Sequence, residues 1–296
     1  MSRQSVLLLL SLVLGTAAEP VQSEITLAAP IEEVRKQLRD GHIDAAIEAG
    51  EQAVETLTQD SQAWFWLGRA YAQQAMRASL LGKPKWAGKT RDAYLQAVTL
   101  DPANLDARFD LMQYYVMAPG FLGGDREKAD AQVVAMAERD AVMGKLATAM
   151  LAQYDKQPAV AERAYRDALK LDPAHSRARI GLAMYLQPGE RWDEIRTLWD
   201  ESLAKNPDDA LAHYQLGRLA ALSGQQLDAG LVHLDRFISI NETPEGMTVG
   251  AAHWRRGQLL EKLGRRDDAL VAYGEAVRRQ PSLQSAKDDL ERLRDE

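Results

Sequence analysis

The chain has 296 residues, with 36 Lys and Arg against 43 Asp and Glu, a net charge of −7 and no cysteine. Apolar residues make up 46% of it, enough for a core, so wholesale disorder is excluded, and the acidic balance argues against a nucleic-acid binder. The lack of cysteine removes disulfide frameworks, thiolate zinc sites, cysteine nucleophiles, iron–sulfur ligation and lipid attachment through Cys.

The first predicted element is an address. Met1-Ser-Arg-Gln4 carries one positive charge, Ser5–Leu14 is apolar, and the small residues Gly15-Thr-Ala-Ala18 precede Glu19-Pro20. That order is the pattern of a secretory signal peptide over residues 1–18, shorter than the ~20 apolar residues of a spanning helix. The expectation is export to a bacterial periplasm, with retention of the segment as an anchor as the alternative. Cleavage would remove Arg3 and no acid, taking the net charge from −7 to −8. Residues 19–30 read as a linker.

From residue 31 a repeat organises the chain. Tyr94-Leu-Gln-Ala-Val-Thr-Leu-Asp-Pro102, Tyr165-Arg-Asp-Ala-Leu-Lys-Leu-Asp-Pro173, Trp199-Asp-Glu-Ser-Leu-Ala-Lys-Asn-Pro207 and Tyr273-Gly-Glu-Ala-Val-Arg-Arg-Gln-Pro281 each place an aromatic eight residues before a proline. Proline lacks an N–H and restricts the residue before it, so each copy ends a helix. Pro173 and Pro207 lie 34 residues apart, and Asn241 takes the equivalent place 34 further on. The preceding halves include Trp64-Phe-Trp-Leu-Gly-Arg-Ala-Tyr71, and Ala161 and Ala269 stand four residues before Tyr165 and Tyr273. At these residues the chain resembles the tetratricopeptide repeat (TPR) family, whose unit is helix–turn–helix. The resemblance implies an all-α fold: a right-handed α-solenoid of about seven units over 31–281, closed by a polar capping helix at 282–296. The units run 31–60, 61–102, 103–141, 142–173, 174–207, 208–241 and 242–281.

Packing accounts for the marked positions. Gly68, Ala149, Ala183, Gly217 and Gly257 share one phase, where a small residue lets the partner helix approach; Met112 departs from it. Gly41, Gly224 and Gly264 fall at turns between helices, where positive φ costs glycine little. Neither helix of a unit can bury its apolar face alone, so neighbours must stack.

Three segments exceed the 34-residue unit: Ala75–Lys89, Pro119–Asp125 and Glu242–Gly250. Inserted segments on a rigid scaffold often carry binding, although they also serve merely to extend or bend helices. The first is basic, with Arg77, Lys83, Lys85, Lys89 and Arg91 around Trp86, and suits an acidic or amphipathic partner or a lipid headgroup. In the second, Phe121 and Leu122 are flanked by chain-bending residues, and Phe121 is expected to fold back as a plug between helices. This Pro-Gly-Phe-Leu-Gly-Gly segment is similar to loops of exported bacterial TPR proteins, a resemblance that implies export rather than an activity.

Catalytic constellations are missing from the sequence. Gly88-Lys89-Thr90 lacks both the glycine spacing and the preceding strand of a phosphate loop. His42, His175, His213, His233 and His253 have no metal-ligand spacing. His213 and His253 repeat the Trp64 position and read as packing residues, and His233, at the Tyr94 position, is expected to meet His213. There is no nucleophile elbow or Ser-His-Asp order. Asn241-Glu-Thr243 is a glycosylation sequon, meaningful only in a eukaryote. The expectation is a protein with no enzymatic activity, cofactor or metal.

In the resembled family the first helix of each unit lines the concave surface. The residue after the Trp64 phase is Phe65, Phe109, Leu146, Ile180, Tyr214 and Trp254 in successive units. Four residues on come Arg69, Gln113, Met150, Met184, Arg218 and Gln258. One turn apart, the two rows lie side by side. They describe either an apolar groove for a peptide, with adaptable Met and carboxylate-pairing Arg, or a stripe packed against the neighbouring unit. Arg69 and Arg218 suit a terminal carboxylate, although the Lys/Asn set of the family's carboxylate clamp is missing. The function expected is a protein-interaction scaffold of the bacterial cell envelope that binds a protein or peptide, with no nucleic acid and no membrane span after cleavage, and with a possible peripheral association with the envelope. The alternatives are a periplasmic escort for apolar segments, or a peptidoglycan-binding accessory protein using Trp64, Trp66, Trp86 and Trp254.

Overall fold

The computed structural model describes residues 21–240, 244 and 247–295. The leader expected over 1–18 and the sequon at Asn241–Thr243 lie outside the described residues, and Glu242–Gly250 lies partly so. Fifteen α-helices follow one another among the described residues. They pair as α1 (Val21–Asp40) with α2 (Ile43–Thr56), α3 (Ser61–Arg77) with α4 (Lys83–Leu100), and α5 (Leu105–Met117) with α6 (Arg126–Ala137). Next come α7 (Ala141–Tyr154) with α8 (Pro158–Leu171), α9 (Ser176–Leu186) with α10 (Trp192–Lys205), and α11 (Ala210–Ser223) with α12 (Leu227–Ser239). The last pair is α13 (Val249–Lys262) with α14 (Arg266–Arg279), and α15 (Gln284–Asp295) follows it. These are seven hairpins and a closing helix, stacked as an α-solenoid.

Local chemistry sets the boundaries. Asp60, Asn104, Asp125, Asp140, Asp209 and Thr248 stand just before helices and accept hydrogen bonds from the first-turn backbone N–H groups, satisfying donors that have no partner within the helix. The second helices end where the sequence predicts. Asp101, Asp172, Asn206 and Gln280, each before a proline, leave the helical region with φ between −134° and −137°. Gly41, Gly224 and Gly264 take φ of 77°, 71° and 75° at the turns.

The close-packing phase explains how the paired helices meet. A Cβ on Gly68 would stand 2.6 Å from the Tyr94 ring, and one on Gly217 or Gly257 would overlap Leu234 or Tyr273. Trp199 and Tyr273 are fully buried where the repeat places its aromatic. The buried side chains form overlapping clusters from α2 to α15. On α15, Ala286, Leu290 and Leu293 are buried while the rest faces water, so the closing helix covers the last apolar face without offering another.

Three expectations are corrected. Residues 19–30 were expected as a linker, but α1 starts at Val21; Glu24, Leu27, Ala28 and Ala29 favour helix, and Pro30 is tolerated within it at the cost of one backbone donor. The basic segment is not a loop either: Arg77 ends α3, and Lys83, Lys85 and Trp86 form the start of α4, with Pro84 in its first turn. Trp86 packs on Tyr71 with ring centroids 5.7 Å apart, and Gly88-Lys89-Thr90 is mid-helix. Phe121 does not plug a gap but stands exposed, whereas Leu122 is half-buried. The segment is held by its backbone instead: Tyr114 donates to the Leu122 carbonyl at 2.6 Å and Asp125 N–H to the Tyr115 carbonyl at 2.9 Å.

Candidate interaction surface

A series of side chains joins each unit to the one before it. Trp64 Nε1 donates to the Thr58 carbonyl (3.1 Å), Arg108 Nε to Pro102 (2.6 Å), Arg179 Nη2 to Pro173 (2.5 Å), and His213 Nε2 meets Pro207 (2.9 Å). Each donor reaches the carbonyl six residues earlier, in the turn between units. An indole, two guanidinium groups and an imidazole thus do one task at one phase. Lys145 is exposed instead. His253 has the phase without the partner: its Nε2 is buried with no hydrogen bond among the described residues.

The expected His213–His233 contact is present, with the two Nδ1 atoms 3.0 Å apart. The Pro207 carbonyl requires a proton on His213 Nε2, so in the neutral pair His233 Nδ1–H donates to His213 Nδ1. Burial, then the His213 charge, push the His233 pKa down, and Asp200 opposes them. Burial, with Arg279, does the same to His253. A folded state that holds imidazoles neutral binds fewer protons than the unfolded chain, so stability is complete above the unfolded value near 6.5 and falls as pH drops below it. The unfolding free energy from urea titration is expected to decline from pH 7 to 5, by at most about 1.4 kcal/mol per pH unit for each imidazole kept neutral. His233→Tyr, which installs the residue of equivalent units, should flatten that decline; superimposable pH profiles would refute it.

The first of the two concave rows is mainly packing, which corrects the groove floor expected there. Phe65, Phe109, Leu146 and Tyr214 are buried and Ile180 and Trp254 half-buried. Phe65 meets Trp66 and Tyr94 at 5.3 and 6.2 Å, Tyr214 meets Phe237 at 5.1 Å, and Trp254 Nε1 donates to Asp289 of α15 at 2.7 Å. The second helices α4 and α12 and the closing α15 supply these contacts. Arg177 adds a lid that sequence spacing does not disclose. From α9 it lies 5.4 Å over the Phe109 ring and pairs with Asp106 of α5 at 2.5 Å, 71 residues away.

The second row is more accessible but already engaged. Arg69 pairs with Asp110 at 3.0 Å and stacks on Phe65 and Trp66. Burial pushes the Asp110 carboxyl up, against the pull of Arg69, and burial, then the Asp110 charge, raise Tyr94. Arg218 donates to Gln187 at 3.0 Å, and Gln258 accepts from Arg255 at 2.8 Å. Gln113 and Met150 are half-buried, leaving Met184, 60% exposed, as the open member. The four tryptophans do not gather: Trp64, Trp66 and Trp86 belong to the second unit and Trp254 to the seventh, each with its own partner.

Met184 opens into a cleft of about 440 Å³ between the fourth and fifth units. The end of α7, the turn after it and the start of α8 supply Gln153, Lys156, Gln157 and Pro158; the end of α9 and the following turn supply Tyr185, Leu186, Pro188 and Arg191. Tyr185 donates to the Pro158 carbonyl at 2.8 Å across the mouth. Behind it, Arg191 and Arg166 bind Glu162 and Glu194 at 2.5–3.0 Å, and these pairings, Arg191 first, hold Glu162 down at about 2. Among the described residues no group of three or more His, Cys, Asp and Glu is placed to hold a metal ion, and no helix is long and apolar enough to cross a membrane.

A tetratricopeptide repeat family model matches residues 31–75 and 146–187, and a second tetratricopeptide repeat model matches 251–283. No curated protein matches the sequence. Among solved structures, yeast Tom70 aligns with a TM-score of 0.59 at 14% identity, over 96% of this chain and 58% of that one. A tetratricopeptide repeat protein from Parabacteroides merdae aligns with a TM-score of 0.47 at 15% identity, over 91% of this chain and 99% of its own. YrrB, described as a TPR protein with an unusual peptide-binding site, aligns at 0.38 and 16% identity over 82% and 98%. The three matched segments are tetratricopeptide repeats within the stacked hairpins, and that fold suggests a protein–protein interaction scaffold.

Proposed function

We propose that the protein is a non-enzymatic scaffold of the bacterial cell envelope that holds an extended segment of one partner protein in the cleft between its fourth and fifth units. The carrying observation is the exposed Met184 in a cleft whose volume, about 440 Å³, falls in the range of ligand sites. Its thioether adapts to an apolar side chain. Pro158, Tyr185, Leu186 and Pro188 add apolar contact, and Gln153, Gln157 and Lys156 offer hydrogen-bonding groups for a peptide backbone or carboxylate. The envelope address rests on the leader expected at residues 1–18. An escort taking many apolar segments would need a broad soft surface, and the second row offers Met184 while Met150 is half-buried.

A photo-crosslinking side chain placed at Met184 in the native cell tests this, with exposed Val271 as the control site. One predominant adduct at 184, absent at 271 and lost when Gln157→Glu and Lys156→Glu are added, is the expected result. A ladder of unrelated adducts would transfer the protein to the escort class, and equal labelling at both sites would overturn the cleft.

A further inference from the structure

The most exposed large apolar side chains gather on one edge of the solenoid. Leu80 and Leu81, 84% and 95% exposed, form the tip of the α3–α4 turn, and Phe121, 84% exposed, forms the tip of the α5–α6 turn. Met76 and Met117 are exposed at the ends of the two helices that lead into these turns. The α5–α6 turn packs beside α4: Arg91, eight residues and so about 12 Å into that helix, lies against Gly123, where a Cβ would stand 2.7 Å from its Nη1, which sets both tips on the same side of the stack. Exposed apolar residues elsewhere, such as Val232 and Val271, lie on other helices.

Positive charge gathers at the first of these turns, whereas the second is balanced, with Asp125 and Glu127 beside Arg126 and Lys128. From Ser61 to Arg91 the sequence has no Asp or Glu, whereas it carries Arg69, Arg77, Lys83, Lys85, Lys89 and Arg91, in a protein of net charge −7. Lys89 pairs with Glu51 at 2.9 Å and Arg91 with Asp92 at 2.7 Å. Lys83 and Lys85 make no ion pair within 4 Å among the described residues, and Lys85 lies over the Trp86 ring at 5.2 Å. The half-buried Trp86 on Tyr71 stiffens the base of the turn.

We propose that this edge docks on an anionic lipid surface, with Leu80, Leu81 and Phe121 entering the apolar boundary and Lys83 and Lys85 meeting the headgroups. Apolar points on turn tips suit a fluid interface, which closes around whatever enters it; a protein partner would have to supply a matching pocket for each. Lysines beside them satisfy the second requirement of peripheral binding, since apolar burial and attraction to anionic lipid add, and their stems lie along apolar surface while the ammonium groups stay in water. This site shares no residue with the Met184 cleft, so either reading can fail without the other.

Vesicle co-sedimentation of the full chain tests the proposal, using phosphatidylglycerol–phosphatidylcholine vesicles and pure phosphatidylcholine vesicles. The expected result is at least about tenfold tighter binding to the anionic vesicles, weakening as salt rises. Leu80→Asp with Leu81→Asp and Phe121→Asp should lose about tenfold or more, as should Lys83→Glu with Lys85→Glu on anionic vesicles. Val232→Asp with Val271→Asp should bind like wild type. All substituted sites are exposed, and far-ultraviolet circular dichroism checks that helicity is retained. Any contribution of residues 1–18 is common to every variant, so unchanged binding by the turn variants would overturn the proposal. Equal affinity for neutral vesicles would also overturn it, and so would an acidic amphipathic peptide that binds this edge when vesicles do not.

Discussion

Gly217→Trp is expected to unfold the sixth unit and with it the cooperative transition of the solenoid. Gly217 lies in α11, where α12 approaches so closely that a single Cβ would overlap Leu234, and the Gly230 carbonyl is 3.2 Å away on the same side. Leu234 is itself fully buried. Overfilling a packed core costs about 1–3 kcal/mol when neighbours can shift; here an indole must displace a helix, so about 3 kcal/mol or more is expected. Each unit is stabilised largely by its neighbours, so the damage should spread to α11–α13. Urea unfolding followed by circular dichroism measures it, with Gly217→Ala as a milder step. A Gly217→Trp variant that melts like wild type would show that the repeat phase is misplaced.

Phe109→Ala combined with Tyr214→Ala is the second large effect. Both side chains are buried, Phe109 under Arg177 and Tyr214 against Phe237. Removing a buried Phe costs about 3–5 kcal/mol, and the sites are three units apart, so the losses should nearly add. A sum of about 6 kcal/mol is comparable with the whole stability of a typical domain. Loss of the cooperative transition is therefore expected, together with loss of any partner binding. A double variant that keeps wild-type helicity and urea midpoint but captures no partner would restore this row as a binding floor.

Particular residues show where sequence reading succeeded. Pre-proline stops at Asp101, Asp172, Asn206 and Gln280 were legible because proline acts on the adjacent residue. So were the glycine turns at 41, 224 and 264, and the Gly68, Gly217 and Gly257 contacts, because a repeat shows the same local demand several times. Repeat phase alone pairs His213 with His233. The candidate site was less legible. Exposure of the Phe65 row depends on how far successive units separate, and that is set by all side chains in the stack together. The Arg177–Asp106 pair spans 71 residues, and no local periodicity carries such a distance.

By itself, then, the sequence determined the repeat, its helix boundaries and its close-packing phase, because those are consequences of backbone restriction and side-chain volume within one unit. Only the tertiary structure decided which apolar residues face water. Stacking buried Phe109 and Tyr214, left Met184 open, and brought the turns bearing Leu80, Leu81 and Phe121 to one edge. The reason is geometric: a period of 34 residues fixes which face of each helix is apolar, but the curvature of the stack fixes which apolar faces meet.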